Sequence, residues 1–302
     1  MFAVEDTRDP TAVAHEVQLA YLEMFPEGDR LFVPRNFGLV IDCFCGGHPG
    51  FQSIDTRYHD VEHTLQGTLC MTRILRRRHA LGAEPRLPRR LFELGLLAIL
   101  LHDTGYLKRR DDREGTGAKY TPVHVQRSAD FAAECLPAKG FSPPEIRAIQ
   151  HMIQCTGVGS RPREIPFQSE EEKLVGCALA TGDLLGQMAA ADYVDKLPIL
   201  YEEFAEAAVF NEGRTSALTT FDSAEELIRK TPEFWENYVK PRLDHELEGL
   251  HRFLNDPYPD GPNPYWQRIE ANIARIRGHS GPGKARRGEE EASETAARFP
   301  GR

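Results

Sequence analysis

Histidine and acidic side chains recur through the middle of the chain in settings where a metal ion would be a natural partner. His102 and Asp103 directly follow a run from Leu91 to Leu101 that is apolar at nearly every position. Burying an imidazole and a carboxylate beside such a run costs free energy unless a partner compensates both groups. A metal cation is one such partner, and a hydrogen-bonded pair at a helix end is the simpler interpretation. Taken alone, this dipeptide favours the simpler interpretation.

The other candidate ligands form an ordered series around this dipeptide. His59 and His63 are four residues apart, so a helix would place them on one face. Asp183 interrupts an apolar helical pattern, where an unpaired carboxylate is costly. His124 and His151 each fall in a separate predicted helix. Because each helix of the middle chain offers an inward ligand type, the ordered series favours a metal site. Its members are His59, His63, His102, Asp103, His124, His151 and Asp183. Of the first two histidines, both can bind one metal, or one can bind metal while the other faces substrate.

Helical periodicity dominates the elements that would position these side chains. The apolar spacing predicts helices at about 11–25, 58–78, 91–101, 122–136, 143–155, 170–191, 194–212, 223–248 and 265–277, with a break near Pro232. Residues 35–51 are mixed, and no segment shows convincing two-residue alternation. The sequence therefore predicts an all-α protein with one domain over residues 1–277. Residues 278–302 hold almost no core residues and are predicted to be a disordered tail.

Charge and composition exclude several classes of partner. The formal net charge of −9 argues against broad binding to nucleic acid or to an anionic membrane. No apolar run approaches the roughly 20 residues that span a bilayer, and the first ten residues lack the order of a signal peptide. The six cysteines are scattered, which favours buried thiols over a disulfide framework. We expect a cytoplasmic protein, and the sequence leaves its oligomeric state open.

The order of the ligands resembles a known signature. His63, then His102-Asp103, then Asp183 resemble the H…HD…D metal-binding signature of the HD-domain metal-dependent phosphohydrolase superfamily. The resemblance covers about residues 58–203 and implies an HD-domain helical bundle with additional C-terminal helices. His124 fits one of the two histidines that the binuclear branches of the superfamily add, and His151 fits the other.

A second motif is similar to that of the class I cyclic-nucleotide phosphodiesterases. The chain has Tyr-His-Asp-Val-Glu-His at residues 58–63, where those enzymes have Tyr-His-Asn-x-x-His. Asp60 thus replaces the asparagine, and the Gly-Tyr-Pro of the cyclic-di-GMP branch is absent after His151. The first histidine of the phosphodiesterase motif is a general acid, so the resemblance implies this role for His59. Asp60 or Glu62 is expected to keep that imidazole protonated.

The resemblance also implies two divalent metal ions. One would bind His63, His102, Asp103 and Asp183, and the other would bind His124 and His151 and share Asp103. Sites that mix imidazole and carboxylate suit iron, manganese, zinc or cobalt, with magnesium possible at one position. Such a pair of cations would activate a bridging water for attack on phosphorus, which gives Asp103 a catalytic role as well.

The expected activity is hydrolysis of a phosphodiester bond in a nucleotide or cyclic nucleotide, a small-molecule phosphate ester. Gln187, Lys108 and Arg109 are the candidates for substrate contacts, although Lys108 and Arg109 also suit a solvated loop and Gln187 could simply complete its helix. Two alternatives stay open at this point. One is a mixed-valent di-iron oxygenase of the HD-domain type, which uses the same six ligands, and the other is a non-catalytic regulatory module.

Overall fold

The computed structural model describes residues 7–211 and 221–279. Within these ranges the chain is helical and has no strand, apart from one isolated bridge between Phe51 and Arg109. The all-α prediction is confirmed. Of the predicted tail, residues 278 and 279 still belong to the last helix, and the remainder lies outside the described residues.

The helices follow the predicted periodicity with two differences. Their bounds are α1 (Pro10–Met24), α2 (Phe32–Phe44), α3 (Val61–Ala80), α4 (Arg89–Leu101), α5 (His124–Cys135), α6 (Pro143–Gln154), α7 (Glu170–Met188), α8 (Tyr193–Phe210), α9 (Ala224–Phe234), α10 (Lys240–His245) and α11 (Pro264–His279). The sequence prediction missed α2, although Val33, Phe37, Val40 and Phe44 have helical spacing and are all buried. The long helix predicted at 223–248 is instead α9, a π-helical turn at Trp235–Val239, and α10.

The buried apolar core draws on helices from α1 to α11, and α4 runs through it. Every residue of α4 from Phe92 to Leu101 is buried, as the apolar run predicted. Across residues 7–211 and 221–279 no single helix has the length and apolarity that a membrane crossing requires. Only α7 and α8 would meet those criteria together, and they are bent by 110°.

Helices α3 and α7 pack almost backbone to backbone through glycines. A Cβ atom at Gly186 would lie 2.6 Å from the carbonyl carbon of Gln66 and 2.7 Å from the amide nitrogen of Gly67. A Cβ atom at Gly182 would lie 2.8 Å from the Gly67 oxygen. Asp183 lies between these two glycines in α7, so the close contact brings its carboxylate against the first turn of α3.

Replacing Gly186 with alanine should therefore separate the two helices. The new methyl group meets fixed backbone, so we expect a destabilisation of about 1–3 kcal/mol, typical of overpacking. Gly38 in α2 is the matched control, because a Cβ atom added there would have no neighbour within 4 Å. Gly38→Ala should stabilise the protein by about 0.5–1 kcal/mol through helix propensity. Urea unfolding of both variants measures the difference, and equal effects of the same sign would contradict this packing argument.

His251 gives the fold a predictable response to acid. Its ring stacks on Trp266 with 5.4 Å between centroids, and burial lowers its pKa to about 4 despite the opposing charge of Asp244. The unfolded chain binds a proton on this imidazole near pH 6.5. Because the unfolded state binds this proton more readily than the folded state, the free energy of unfolding is unaffected by His251 above pH 6.5. It decreases as the pH falls from 6.5 toward 4.

We expect this single group to remove about 2–3 kcal/mol of unfolding free energy over that range. His251→Phe keeps an aromatic ring against Trp266 and cannot titrate, so its urea midpoint should fall less between pH 7 and pH 4.5 than that of the wild type. His15 is exposed on α1, and His15→Gln should keep the wild-type pH response. An unchanged pH response in His251→Phe would assign the acid sensitivity to other groups.

Candidate metal centre

Four of the predicted ligands converge on one point between α3, the end of α4 and α7. The Nε2 atom of His63 lies 3.2 Å from Oδ2 of Asp103 and 3.2 Å from Oδ1 of Asp183. The Nε2 atom of His102 lies 3.3 Å and 3.5 Å from the same two oxygens. Two imidazole nitrogens and two carboxylate oxygens thus face each other in the interior of the protein.

The charges at this point are mutually dependent. Burial alone would lower the pKa of His63, but the adjacent Asp103 and Asp183 carboxylates raise it to about 10. The pKa of His102 is raised for a similar reason, against the same effect of burial. Burial would raise the pKa of Asp103, and the neighbouring imidazoles hold it well below its ordinary value. The four side chains therefore interact strongly with one another in the interior of the protein.

The donor atoms fit a divalent cation. His63, His102 and Asp103 offer ligand atoms that all lie within 4.8 Å of one another. Nε2 of His102 and Oδ2 of Asp103 are buried and form no hydrogen bond of acceptable geometry with the described residues. A mixed set of nitrogen and oxygen donors suits manganese, iron, zinc or cobalt. These side chains can therefore hold one such ion.

Local structure fixes the orientation of the ligands. Asp60 caps the start of α3 by accepting a hydrogen bond from the His63 amide, 2.9 Å away. Nδ1 of His102 donates to the Ile99 carbonyl oxygen at 2.7 Å, which leaves Nε2 to face the cluster. Gly105 lets the following turn approach α5 closely, since a Cβ atom there would overlap the main-chain oxygen of His124.

His124 lies at the edge of this cluster. Its Nε2 atom is 3.9 Å from Oδ1 of Asp103, the carboxylate oxygen not shared by the other two imidazoles. Its Nδ1 atom donates to the Thr121 carbonyl oxygen at 2.7 Å. Burial lowers the pKa of His124, which favours the neutral imidazole. His124 therefore borders the side of Asp103 that points away from His63 and His102.

The structure does not bring His151 to the other ligands. Its Nδ1 atom lies 3.0 Å from Oε1 of Glu172, and its ring packs edge-on against Phe167. Glu172 belongs to the first turn of α7, whereas Asp183 lies about 16 Å further along the helix axis. The sequence placed His151 on a helix but did not show where along α7 this helix would pack. The predicted second cation between His124 and His151 therefore lacks one of its ligands.

His59 contacts the cluster in a different way from that expected. Helix α3 begins at Val61, so His59 and His63 do not share a helix face as the spacing suggested. Their rings are nevertheless 5.4 Å apart. Nδ1 of His59 is 2.6 Å from Oε2 of Glu203, whose Oε1 accepts hydrogen bonds from the Arg57 and Tyr58 amides.

Glu203 is the partner that the sequence did not identify. It is 5% exposed and comes from α8, far from residues 58–63 in the chain. Burial would raise its pKa, and the charge and hydrogen bond of His59 lower it. The two expected partners of His59 are engaged elsewhere, because Asp60 caps α3 and Glu62 forms an ion pair with Lys196 at 2.9 Å.

Gln187, one of the candidates for substrate contact, forms hydrogen bonds with Asp183, and its contact with substrate stays a prediction. Its Nε2 atom donates to the main-chain oxygen of Asp183 at 3.1 Å and to Oδ1 at 3.3 Å. Its Oε1 atom accepts a hydrogen bond of 2.9 Å from the Tyr58 hydroxyl. Gln187 therefore holds the Asp183 carboxylate in place, and its amide is occupied on both ends.

The two basic candidates also have protein partners. Lys108 is buried, with Nζ 2.9 Å from Oδ2 of Asp55 and 2.6 Å from the Gly115 oxygen. Arg109 forms a two-point ion pair with Glu134. The role of Lys108 and Arg109 in substrate binding stays a prediction, and each would have to exchange an existing partner for a phosphate.

Comparison with models of protein families gives a match. No curated protein matches this sequence significantly. A family model described as Npun_R2479-like matches residues 50–255 of the 302-residue chain. The matched region contains the four converging ligands, His124 and the His59–Glu203 pair. The chain belongs to the Npun_R2479-like family.

Proposed function

We propose that this protein is a metal-dependent phosphohydrolase of the HD-domain type that hydrolyses phosphodiester bonds in nucleotides or cyclic nucleotides. The main support is the convergence of His63, His102, Asp103 and Asp183, in the order of the H…HD…D signature, at distances of 3.2–3.5 Å. The second support is an imidazole, His59, fixed beside that cluster.

The four converging residues would hold one divalent cation. Such an ion lowers the pKa of a bound water and polarises a phosphoryl oxygen. Asp103 and Asp183 offset its charge and, with Gln187 on Asp183, fix the position of the donor atoms. His124 borders the free side of Asp103 and would face the bound phosphate ester.

His59 is suited to give a proton to the departing alkoxide. Its Nδ1 atom is occupied by Glu203, so Nε2 is the nitrogen that can donate to a substrate. The Glu203 carboxylate accepts the hydrogen bond from Nδ1 of His59, and two main-chain hydrogen bonds keep that carboxylate fixed. This acid would contribute roughly 10²–10⁴-fold to the rate.

The placement of His151 weighs against the oxygenase alternative. That chemistry was expected from a six-ligand, two-iron site, and His151 pairs with Glu172 instead. We therefore expect one cation at the four-residue site. The regulatory alternative predicts that no substrate is turned over, whereas our proposal predicts hydrolysis.

The test uses full-length protein stripped with chelator and reloaded with manganese, iron, zinc, cobalt or magnesium. We expect metal-dependent hydrolysis of bis(p-nitrophenyl) phosphate and of at least one cyclic or linear nucleotide, with no uptake of oxygen. His102→Ala should remove the activity. Absence of turnover with every metal would support the regulatory module, and oxygen consumption by the iron-loaded protein would support the oxygenase.

A further inference from the structure

Tyr106 contacts both imidazoles that flank the metal centre. Its ring is fully buried and stacks on His59, with 4.6 Å between centroids and 18° between planes. It stacks equally on His124, at 4.7 Å and 19°. The two imidazoles are themselves 6.1 Å apart.

These distances place both imidazoles on the same face of the tyrosine ring. Atoms of stacked rings approach to about 3.5 Å, so imidazoles on opposite faces would be separated by roughly 7 Å or more. The observed 6.1 Å is shorter. The phenol ring is therefore a platform on which His59 and His124 lie side by side.

The platform is held by the backbone around it. Tyr106 belongs to a short 3-10 turn that directly follows Asp103. Its main-chain amide donates a hydrogen bond to the main-chain oxygen of Asp103 at 3.1 Å. On the other side, Gly117 approaches so closely that a Cβ atom there would overlap the main-chain oxygen of Tyr106. Arg127 donates to the main-chain oxygens of Gly105 and Leu107. The ring position is thus fixed relative to Asp103.

Each imidazole is fixed at a second point. Nδ1 of His59 is bound by Glu203 and Nδ1 of His124 by the Thr121 oxygen. A hydrogen bond at one nitrogen still permits rotation about that bond, and contact with a flat ring removes this freedom. The platform therefore determines where both Nε2 atoms point.

We propose that Tyr106 is a positioning residue that holds the His59 proton donor and the His124 imidazole in a fixed arrangement beside the substrate. This inference rests on the proposed phosphohydrolase function. It gives the ring, rather than the hydroxyl, the important role. An ordinary packing role for a buried tyrosine is the competing explanation, and the two differ in what each substitution affects.

The experiment compares Tyr106→Phe, Tyr106→Leu and a control, Phe92→Leu, in the manganese-loaded full-length protein. Phe92 is also fully buried and stacks on Tyr21, with 5.8 Å between centroids, but lies outside the site. We expect Tyr106→Phe to keep kcat within about twofold. Tyr106→Leu should lower kcat on the order of 10²-fold with little change in KM, as a displacement of about 1 Å can do. Phe92→Leu should lower the thermal stability about as much as Tyr106→Leu does, but should leave kcat at the wild-type value.

A second readout does not depend on activity. Signals of the imidazole ring protons in the metal-free protein broaden when a ring exchanges between orientations on the microsecond to millisecond timescale. We expect sharp signals from His59 and His124 in Tyr106→Phe and exchange-broadened signals in Tyr106→Leu. One ring orientation and full kcat in Tyr106→Leu would overturn the inference, and an equal loss of kcat in both Tyr106 variants would assign the role to the hydroxyl. If the wild type hydrolyses no substrate, the proposed function fails while the measurement of ring orientation still tests the platform.

Discussion

Replacing Asp103 with asparagine should remove both metal binding and hydrolysis. Its carboxylate oxygens lie 3.2 Å and 3.3 Å from the Nε2 atoms of His63 and His102, and 3.9 Å from that of His124. The amide keeps the size of the side chain but lacks the negative charge. Loss of residues that merely support ligands already lowers metal affinity by about 10–100-fold, so we expect a loss of more than about 100-fold here.

Two measurements test this prediction independently. Manganese at 100 times its dissociation constant should stabilise the wild type by about 2.7 kcal/mol and should leave Asp103→Asn unchanged. Hydrolysis of the aryl phosphodiester should fall by more than the roughly 10²–10⁴-fold expected for loss of the general acid. Asp130 is exposed on α5, and Asp130→Asn is the control that should keep both properties. Manganese affinity within threefold of wild type in Asp103→Asn would refute the metal site.

Replacing His59 with glutamine should lower the rate in a manner that depends on the leaving group. An alkoxide departs only when it receives a proton, whereas p-nitrophenolate departs readily without one. We expect a loss of roughly 10²–10⁴-fold for a nucleotide phosphodiester and a much smaller loss for bis(p-nitrophenyl) phosphate. Manganese affinity should stay close to that of the wild type, because His59 contacts the cluster through His63 rather than facing its centre.

Glu203→Gln tests how much Glu203 contributes to the action of His59 as a general acid. The glutamine amide can still accept a hydrogen bond from Nδ1 of His59 but lacks the negative charge of the carboxylate. We expect a smaller loss than for His59→Gln, with the same dependence on the leaving group. Exposed Glu202, the neighbour in sequence, is the control, and Glu202→Gln should have no effect. Equal losses for alkyl and aryl substrates together with weakened metal binding would instead identify His59 as a ligand.

The sequence predicted most of the helices and named the four side chains that converge between α3, α4 and α7. A buried run ending in His102-Asp103, a histidine near the start of α3 and a carboxylate in α7 are local patterns, and a shared partner would compensate the free-energy cost of burying each of them. Helix α2 was missed because its apolar positions are interleaved with Arg35, Asn36 and Gly38. The register of Val33, Phe37, Val40 and Phe44 would have revealed it.

The remaining parts of the site depend on how helices pack, which a local pattern does not record. His151 has the right residue type and lies in a helix, but α6 meets α7 near Glu172 rather than near Asp183. Glu203 lies in a segment without any motif and reaches His59 only because α8 folds back over the start of α3. Tyr106 was visible next to Asp103, yet its contacts with two distant histidines exist only in the folded chain.

The mutual pairing of imidazoles and carboxylates has a consequence for the order of events in the life of the protein. Because the two carboxylates already face two imidazole nitrogens at 3.2–3.5 Å, the polypeptide should reach its native state in a cell starved of transition metals. An ion at the proposed site would compete with protons for the same imidazole and carboxylate atoms, so acidification should release it. The emptied protein should survive intact and recover when the supply returns.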